Sequence, residues 1–428
     1  MSAPPPIRFG TDGVRGPAGT WPITPEGADA IGQGLATWAG GDAAPRIVVI
    51  RDPRASGAAL ADAVCAGIAR GGGVALRGGV LPTAAASCII ADLGLDAGVV
   101  LTASHNPWTD NGLKVMVRGG GKLLDPASLE ACFGRAVPSG VAPGRVESLD
   151  QPAAAWHAAL PDVDLAGLTV LLDAASGAGH VVAAEALRAR GATVLRRDPT
   201  PDGRNINDGT GALHPPDPAE VRRAGADLAI CLDGDADRVQ LVDPDAGLLD
   251  GDDLLWLLGA GGSEPVVGTV MTNGGLEAAL EGRLVRAPVG DRHVAEKMAE
   301  VGATIGAEPS GHVLFRDGMP TGDGLYAALR ALQAVARRTG RLTPLPAGGW
   351  TRWPQVGTAV RFTGPRIDLA ALHSLEGVRQ SGQRAVVRYS GTEPKLRIMV
   401  EGMGTGSDAP AAHVERIAVE FRALLAAR

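Results

Sequence analysis

Aromatic residues are scarce. Phe, Trp and Tyr make up 3% of the 428 residues, so Ala, Val and Leu must fill whatever core the chain builds. Lysine is also scarce: only Lys114, Lys122, Lys297 and Lys395 occur among 40 basic residues, the others being arginine, which makes each surviving lysine worth following. Four cysteines (Cys65, Cys88, Cys132, Cys231) stand singly, without Cys-x-x-Cys spacing. That argues against a disulfide framework or a zinc site and leaves reduced thiols as the expectation. No apolar run approaches membrane-spanning length and no cationic-plus-apolar leader opens the chain, so a cytoplasmic location and no membrane partner are expected. With a net charge of −7, the chain lacks the basic excess that a general affinity for nucleic acid or acidic membrane surfaces requires.

What remains is globular in composition, with 45% hydrophobic and 20% charged residues, and too long for one core. Gly and Pro are spread along the chain and mark many tight turns rather than one disordered tract. Helix and strand signals alternate from the start. A helix runs from Thr24 to about Gly40, followed by Arg46–Ile50, Ala55–Arg70, Val74–Leu76, Pro82–Leu93, Val99–Thr102 and Leu113–Val117. This pattern predicts an α/β domain with a largely buried sheet. Pro138–Gln151 has the composition of a boundary. A second α/β unit carries strands at Thr169–Asp173, Asp227–Leu232 and Val239–Val242. A third carries strand Val266–Val270 and a helix at roughly Asp323–Arg338. After the linker Pro344–Gly349, short strands and a terminal amphipathic helix predict a smaller α+β domain. The expected boundaries are therefore 1–150, 151–250, 251–347 and 348–428.

Chemistry-bearing residues sit at the ends of these strands. Val99-Val100-Leu101 stops at Thr102-Ala103-Ser104-His105-Asn106-Pro107, where Pro107 stiffens the turn. A serine so placed, beside an imidazole, suits a phosphoryl-carrying nucleophile. Asp233, Asp235 and Asp237 alternate with small residues just past an apolar strand, so extended chain throws all three carboxylates to one side. Three anions that close call for a hard divalent cation. An EF-hand calcium loop fails, because Arg238 stands where its glycine belongs and Pro244 where its glutamate belongs. Gly177-Ala178-Gly179 lacks the third glycine of a dinucleotide fingerprint, Val182 holding that place. In Phe9–Gly16, Arg15 offers a fork-shaped donor for phosphate among three glycines. Arg388-Tyr389-Ser390-Gly391-Thr392 with Arg397 forms a plausible anion nest, and Glu308, Ser310 and His312 offer partners for sugar hydroxyls.

Jointly and in this order, the chain resembles the α-D-phosphohexomutases, and within them the bacterial phosphoglucosamine mutases. The matching stretches are Phe9–Gly16, Thr102–Pro107, Asp233–Arg238, Gly290–Arg292, Glu308–His312 and Arg388–Pro394, which together span nearly the whole chain. The resemblance implies three similar α/β domains with mixed sheets plus a smaller C-terminal α+β domain around a central cleft. It implies that Ser104 is carried as phosphoserine, with one Mg²⁺ between it and Asp233, Asp235 and Asp237. It also implies a sugar 1,6-bisphosphate intermediate that can serve as activator. Arg15, Lys114 and Arg238 would add positive field and proton-transfer partners; Lys114 is the preferred general acid/base and His105 the rival. Asp291, Arg292, Glu308, Ser310 and His312 would hold the sugar. Arg388, Ser390, Gly391, Thr392 and Arg397 would hold its non-reacting phosphate. The implied partner is a hexose or hexosamine phosphate, met by a monomer or homodimer. Thr102, Pro309, Tyr389 and His293 depart from the commonest amino-sugar pattern, which leaves glucose and mannose phosphates as alternatives. A metal-dependent sugar phosphatase and a non-catalytic sugar-phosphate sensor are the rivals from other classes.

Overall fold

The computed structural model describes residues 5–10, 13–41, 43–123, 125–135, 142–346, 349–390 and 394–427. Four sheets organise them. The first has six strands: β1 (Val14–Pro17), β2 (Arg46–Arg51), β3 (Val74–Val80), β4 (Ala97–Leu101), β5 (Asp110–Val117) and β6 (Arg145–Ser148), in the order β1-β5-β4-β2-β3-β6. The pairs β4–β2, β2–β3 and β3–β6 are parallel, while β5 runs antiparallel to both β1 and β4. Alternation along β2 separates its two faces. Ile47 and Val49 join the core under helices Pro25–Ala39 and Gly57–Arg70, whereas Val48 and Ile50 face the helix Thr83–Leu93. The first helix starts as expected, with Thr24 Oγ1 accepting from the Gly27 amide and Pro25 in its first turn.

The second sheet comprises β7 (Thr169–Asp173), β8 (Thr193–Arg196), β9 (Leu228–Leu232), β10 (Val239–Asp243) and β11 (Gly247–Leu249), ordered β11-β10-β9-β7-β8. The third comprises β12 (Val266–Thr269), β13 (Leu284–Ala287), β14 (Ile305–Ala307) and β15 (Val313–Phe315), ordered β13-β12-β14-β15. Both mix parallel with antiparallel pairs. The fourth is a small antiparallel sheet of β16 (Gln355–Arg361), β17 (Arg384–Tyr389) and β18 (Lys395–Glu401), with β18 central and the helix Pro410–Ala426 packed on one face. Three mixed α/β layers and a smaller α+β unit are thus present.

The cores divide differently from the sheets. One apolar cluster runs from Val48 and Val100 through Trp156, Leu232 and Ala236 to Leu325 and Leu345, joining the first three units. The fourth keeps a separate cluster around Val360, Ile398, Val400 and Phe421, where three of the scarce aromatics, Phe362, Tyr389 and Phe421, meet edge to face or tilted. One expectation needs correcting. The Pro- and Gly-rich stretch 138–151 is not linker throughout, because Arg145–Ser148 pairs with β3 as the edge strand of the first sheet. Its flanking composition masked four exposed residues too polar to read as a strand.

Candidate active site

β4 is buried along its whole length and ends at Leu101, and Thr102 turns the chain. Ser104 follows in the left-handed region with φ of 50°, an uncommon conformation for a residue with a Cβ. Its Oγ donates to Asp233 Oδ2 at 2.8 Å and lies 3.4 Å from His105 Nδ1. The partner loop leaves β9 at Leu232 and re-enters the sheet at Val239. Between them Ala236 also has positive φ, 59°. The three carboxylates converge as expected, but on a turn rather than on extended chain: Asp233, Asp235 and Asp237 bring one carboxylate oxygen each within 4.8 Å of one another, all buried.

Those carboxylates fit a divalent ion. Asp235 Oδ1 and Asp237 Oδ1 are buried without a hydrogen-bond partner among the described residues, although each is an acceptor. Burial, together with the Asp237 and Asp235 charges, pushes Asp233 up to about 8, which a bound cation would reverse. The remaining oxygens are engaged. Lys114, on β5 opposite Val100, reaches Asp235 Oδ2 at 2.9 Å and Asp237 Oδ2 at 3.1 Å; Thr83 Oγ1 donates to Asp235 Oδ2 at 2.7 Å. Asp237 sits well below the usual carboxylate range because Lys114 and His312 outweigh the large penalty of its burial.

Cations surround the serine. Burial, then Arg238 and Arg15, push the His105 imidazole down to about 4, so it is neutral near pH 7. Arg238 is held above its ordinary value: burial opposes its charge, but Asp233, Asp237 and Glu308 overcome it. His312 is buried behind the acidic loop. Its Nδ1 is 2.9 Å from the Asp237 carbonyl, an oxygen that can only accept, so Nδ1 carries the proton. His312 thus braces the acidic loop through Nδ1, while its Nε2 has no hydrogen-bond partner among the described residues. Asp291 ion-pairs with Lys122 and has an oxygen 3.8 Å from His312 Nε2. Glu308 accepts from the Gly290 amide at 3.0 Å, and Ser310 Oγ is buried without a hydrogen-bond partner among the described residues. Arg292 is exposed and reaches Glu296 on its own helix at 2.8 Å.

In the fourth unit, Arg388 on β17 and Arg397 on β18 face each other directly in register. They line a cleft of about 330 Å³ with Met271 of the third unit and Gln355 and Thr358 of the fourth. Neither guanidinium has a carboxylate within ion-pair distance among the described residues, and burial plus the Arg397 charge hold Arg388 below its ordinary value. Ser390 is buried at the end of β17; Gly391 and Thr392 lie outside the described residues. Thr83, Arg54 and Asn207 escaped the sequence reading. Their contacts with the serine and acidic loops span 50 or more residues, and no local pattern announces them.

A serine held against three carboxylates, with a separate arginine cleft, defines a phosphoryl-transfer enzyme. The chain belongs to the phosphoglucomutase/phosphomannomutase family, whose alpha/beta/alpha domains I, II and III match residues 6–134, 155–247 and 250–352 and whose C-terminal domain matches 326–424. Among its relatives, the phosphoglucosamine mutase of Anaeromyxobacter sp. (strain Fw109-5) is 39% identical, covering 97% of this chain and 96% of its own length. The phosphoglucosamine mutase of Burkholderia multivorans (strain ATCC 17616 / 249) is 40% identical, covering 98% and 99%. A phosphoglucomutase/phosphomannomutase family protein of Burkholderia thailandensis shares the fold, with a TM-score of 0.72 over 98% of this chain and 97% of its own at 22% identity.

Proposed function

We propose that this enzyme interconverts glucosamine 6-phosphate and glucosamine 1-phosphate through phosphate carried on Ser104. The observation that carries the mechanism is the 2.8 Å contact of Ser104 Oγ with Asp233 inside the acidic triad. The near-full-length identity to phosphoglucosamine mutases supports the choice of sugar. Asp233, Asp235 and Asp237 would hold Mg²⁺, which offsets charge on the phosphoryl group in flight. A sugar hydroxyl attacks the phosphorus of phospho-Ser104, the bond from phosphorus to Ser104 Oγ breaks, and a bisphosphate results. Lys114, held between Asp235 and Asp237, would deliver a proton to the departing serine oxygen. His105 starts neutral and can take the proton of the attacking hydroxyl; a phosphate dianion on the adjacent serine raises its basicity from the low value of the unphosphorylated site. The steps run in reverse, with the roles exchanged, once the bisphosphate has turned over.

Arg388 and Arg397 hold the phosphate that is not reacting, which a phosphatase would not need. Arg15 and Arg238 add positive field, Glu308 and Ser310 take sugar hydroxyls, and Asp291 lies beside them. Units near 1–150, 151–250, 251–347 and 348–428 each contribute one loop. Four free cysteines accord with a reducing, cytoplasmic setting, and among the described residues no helix is long and apolar enough to cross a membrane. The test is a mutase assay across glucosamine, glucose and mannose phosphates, with Ser104→Ala as control. Turnover with glucosamine 6-phosphate and none in Ser104→Ala is expected. A higher kcat/KM for glucose or mannose phosphate would overturn the sugar assignment; full activity in Ser104→Ala would overturn the mechanism.

A further inference from the structure

The turn carrying Ser104 is held by groups that the chemistry above does not use. Arg54, 1% exposed, directs its guanidinium at the turn's backbone. Nη2 donates to the carbonyls of Ser104 (2.8 Å) and Asn106 (2.9 Å), and Nη1 donates to Asp110 (3.0 Å) and Pro107. Asp52, fully buried, accepts from Arg54 Nε at 2.8 Å and from Thr102 Oγ1 at 2.7 Å, and Thr102 Oγ1 in turn accepts from the Ser104 amide at 2.9 Å. These restraints come from the first unit. A second set arrives from the loop following β8 in the second unit. Asn207 Nδ2 donates to the Ser104 carbonyl at 2.9 Å and to the Asn106 carbonyl at 3.1 Å. The same loop is tied down nearby, where the Ala55 amide donates to the Gly203 carbonyl at 2.8 Å and Arg204 stacks over Trp108.

We propose that Asn207 is a positioning residue for Ser104, acting across the junction of the first and second units; this rests on Ser104 being the phosphoryl carrier. The argument is one of local cost against local use. Asn207 has φ of 60°, a region that favours glycine, and its Oδ1 is buried without a hydrogen-bond partner among the described residues. Glycine would hold this backbone conformation without a Cβ but would supply neither donor. The amide's own contribution is a second donor, beside Arg54, on the Ser104 carbonyl. Two donors on one carbonyl fix the plane of the peptide that follows Ser104 and keep the serine in the left-handed region. From there its Oγ meets Asp233, which belongs to the same unit as Asn207. Nucleophile and acidic triad sit on different units, so a donor from the triad's own unit sets the distance between them.

The test is Asn207→Gly in the full chain, which keeps the backbone conformation and removes the two donors. Asn207→Asp is its companion, keeping the shape but offering only acceptors to the two carbonyls. Melting temperature, kcat, KM and the phosphate occupancy of Ser104 by intact mass are read for each. Asn207→Gly is expected to lower the melting temperature by no more than a few degrees, keep KM within about twofold and lose about tenfold to hundredfold in kcat. Asn207→Asp is expected to lose at least as much kcat. Parental kcat in Asn207→Gly overturns the proposal, as does a kcat loss that appears only in proportion to a fall in melting temperature. Ser104→Ala, assayed alongside, separates the two levels. If it keeps parental turnover, the phosphoserine reading fails; if it is inactive while Asn207→Gly is fully active, only the role of Asn207 fails.

Discussion

Replacing Arg388 by alanine should weaken catalysis while leaving the protein as stable as before, or slightly more so. The opposing signs follow from one geometric fact: Arg388 and Arg397 are direct cross-strand partners. Like charges facing each other on a sheet are destabilising, and among the described residues the Glu308 charge relieves them only from beyond ion-pair distance. Arg388 is also half-buried, so solvent screens the pair incompletely. Nothing in the free protein rewards this arrangement; a dianion in the 330 Å³ cleft would. A charge-assisted hydrogen bond contributes about 1.5–3 kcal/mol, which converts to a loss of about 10- to 150-fold in kcat/KM for Arg388→Ala. Arg397 is more exposed, so Arg397→Ala should fall at the lower end of that range. Steady-state kinetics give the first reading. The second is thermal melting with and without inorganic phosphate, which should stabilise the parent by more than either variant. If both variants keep parental kcat/KM and phosphate raises all three melting temperatures equally, the arginine pair is not the distal phosphate site.

Three further outcomes are expected. Asp235→Asn should shift magnesium dependence upward by roughly tenfold or more, because one of three clustered carboxylates loses its charge; undiminished turnover in excess chelator would contradict the assignment. In the native protein one thiol per chain should react promptly with a thiol reagent, at Cys132. Cys65, Cys88 and Cys231 are buried, burial pushing Cys65 up to about 11 and Cys88 up to about 12; rapid labelling of two or more would show that these cores open readily. Peptide mass spectrometry of active enzyme should place a phosphate on Ser104, and a phosphate found only elsewhere would displace it as the carrier.

How much of this could be read from residues alone depended on range. The acidic triad was legible as a local cluster of three carboxylates past an apolar strand, although they converge on a turn with Ala236 at positive φ and not on the extended chain that alternation implied. Ser104 was legible for the same reason, as a small-residue turn closing the buried run Val99–Leu101. Arg388 and Arg397 were legible as charges, but their pairing was not, since it needed the β17–β18 register. Asp52, Arg54, Thr83 and Asn207 were not legible as parts of the site. Each meets it across 50 to 152 residues, and each looks like an ordinary turn or helix-start residue in isolation. His312 was read as a sugar contact from its place in Glu308–His312; only the fold shows that its Nδ1 also meets the Asp237 carbonyl. Strand β6 hid in a segment whose prolines and glycines pointed to a boundary.

The arrangement of cores explains why the site is assembled this way. Phosphoryl transfer between Ser104 and the sugar requires the serine, Lys114 and the acidic triad to keep their distances to within tenths of an ångström. Those groups stand on the first two units, joined to the third by one continuous apolar cluster, and such close packing resists deformation. The arginine cleft, as the proposed distal phosphate site, would make no such demand, because the sugar must offer each of its two ends in turn. It belongs to the one unit whose core is separate, and that unit meets the third largely through polar contacts. Glu401 accepts from the Gly274 amide at 3.0 Å and from Arg384 Nε at 2.6 Å, Arg384 Nη2 donates to the Thr272 carbonyl at 2.9 Å, and Asn273 exchanges hydrogen bonds with Trp353. Hydrogen bonds of this kind contribute little net stability each and can be exchanged with water at small cost, whereas separating an apolar core cannot. Rigidity therefore lies where the bond is made and broken, and the weaker junction lies beside the arginine cleft that must receive both orientations of the substrate.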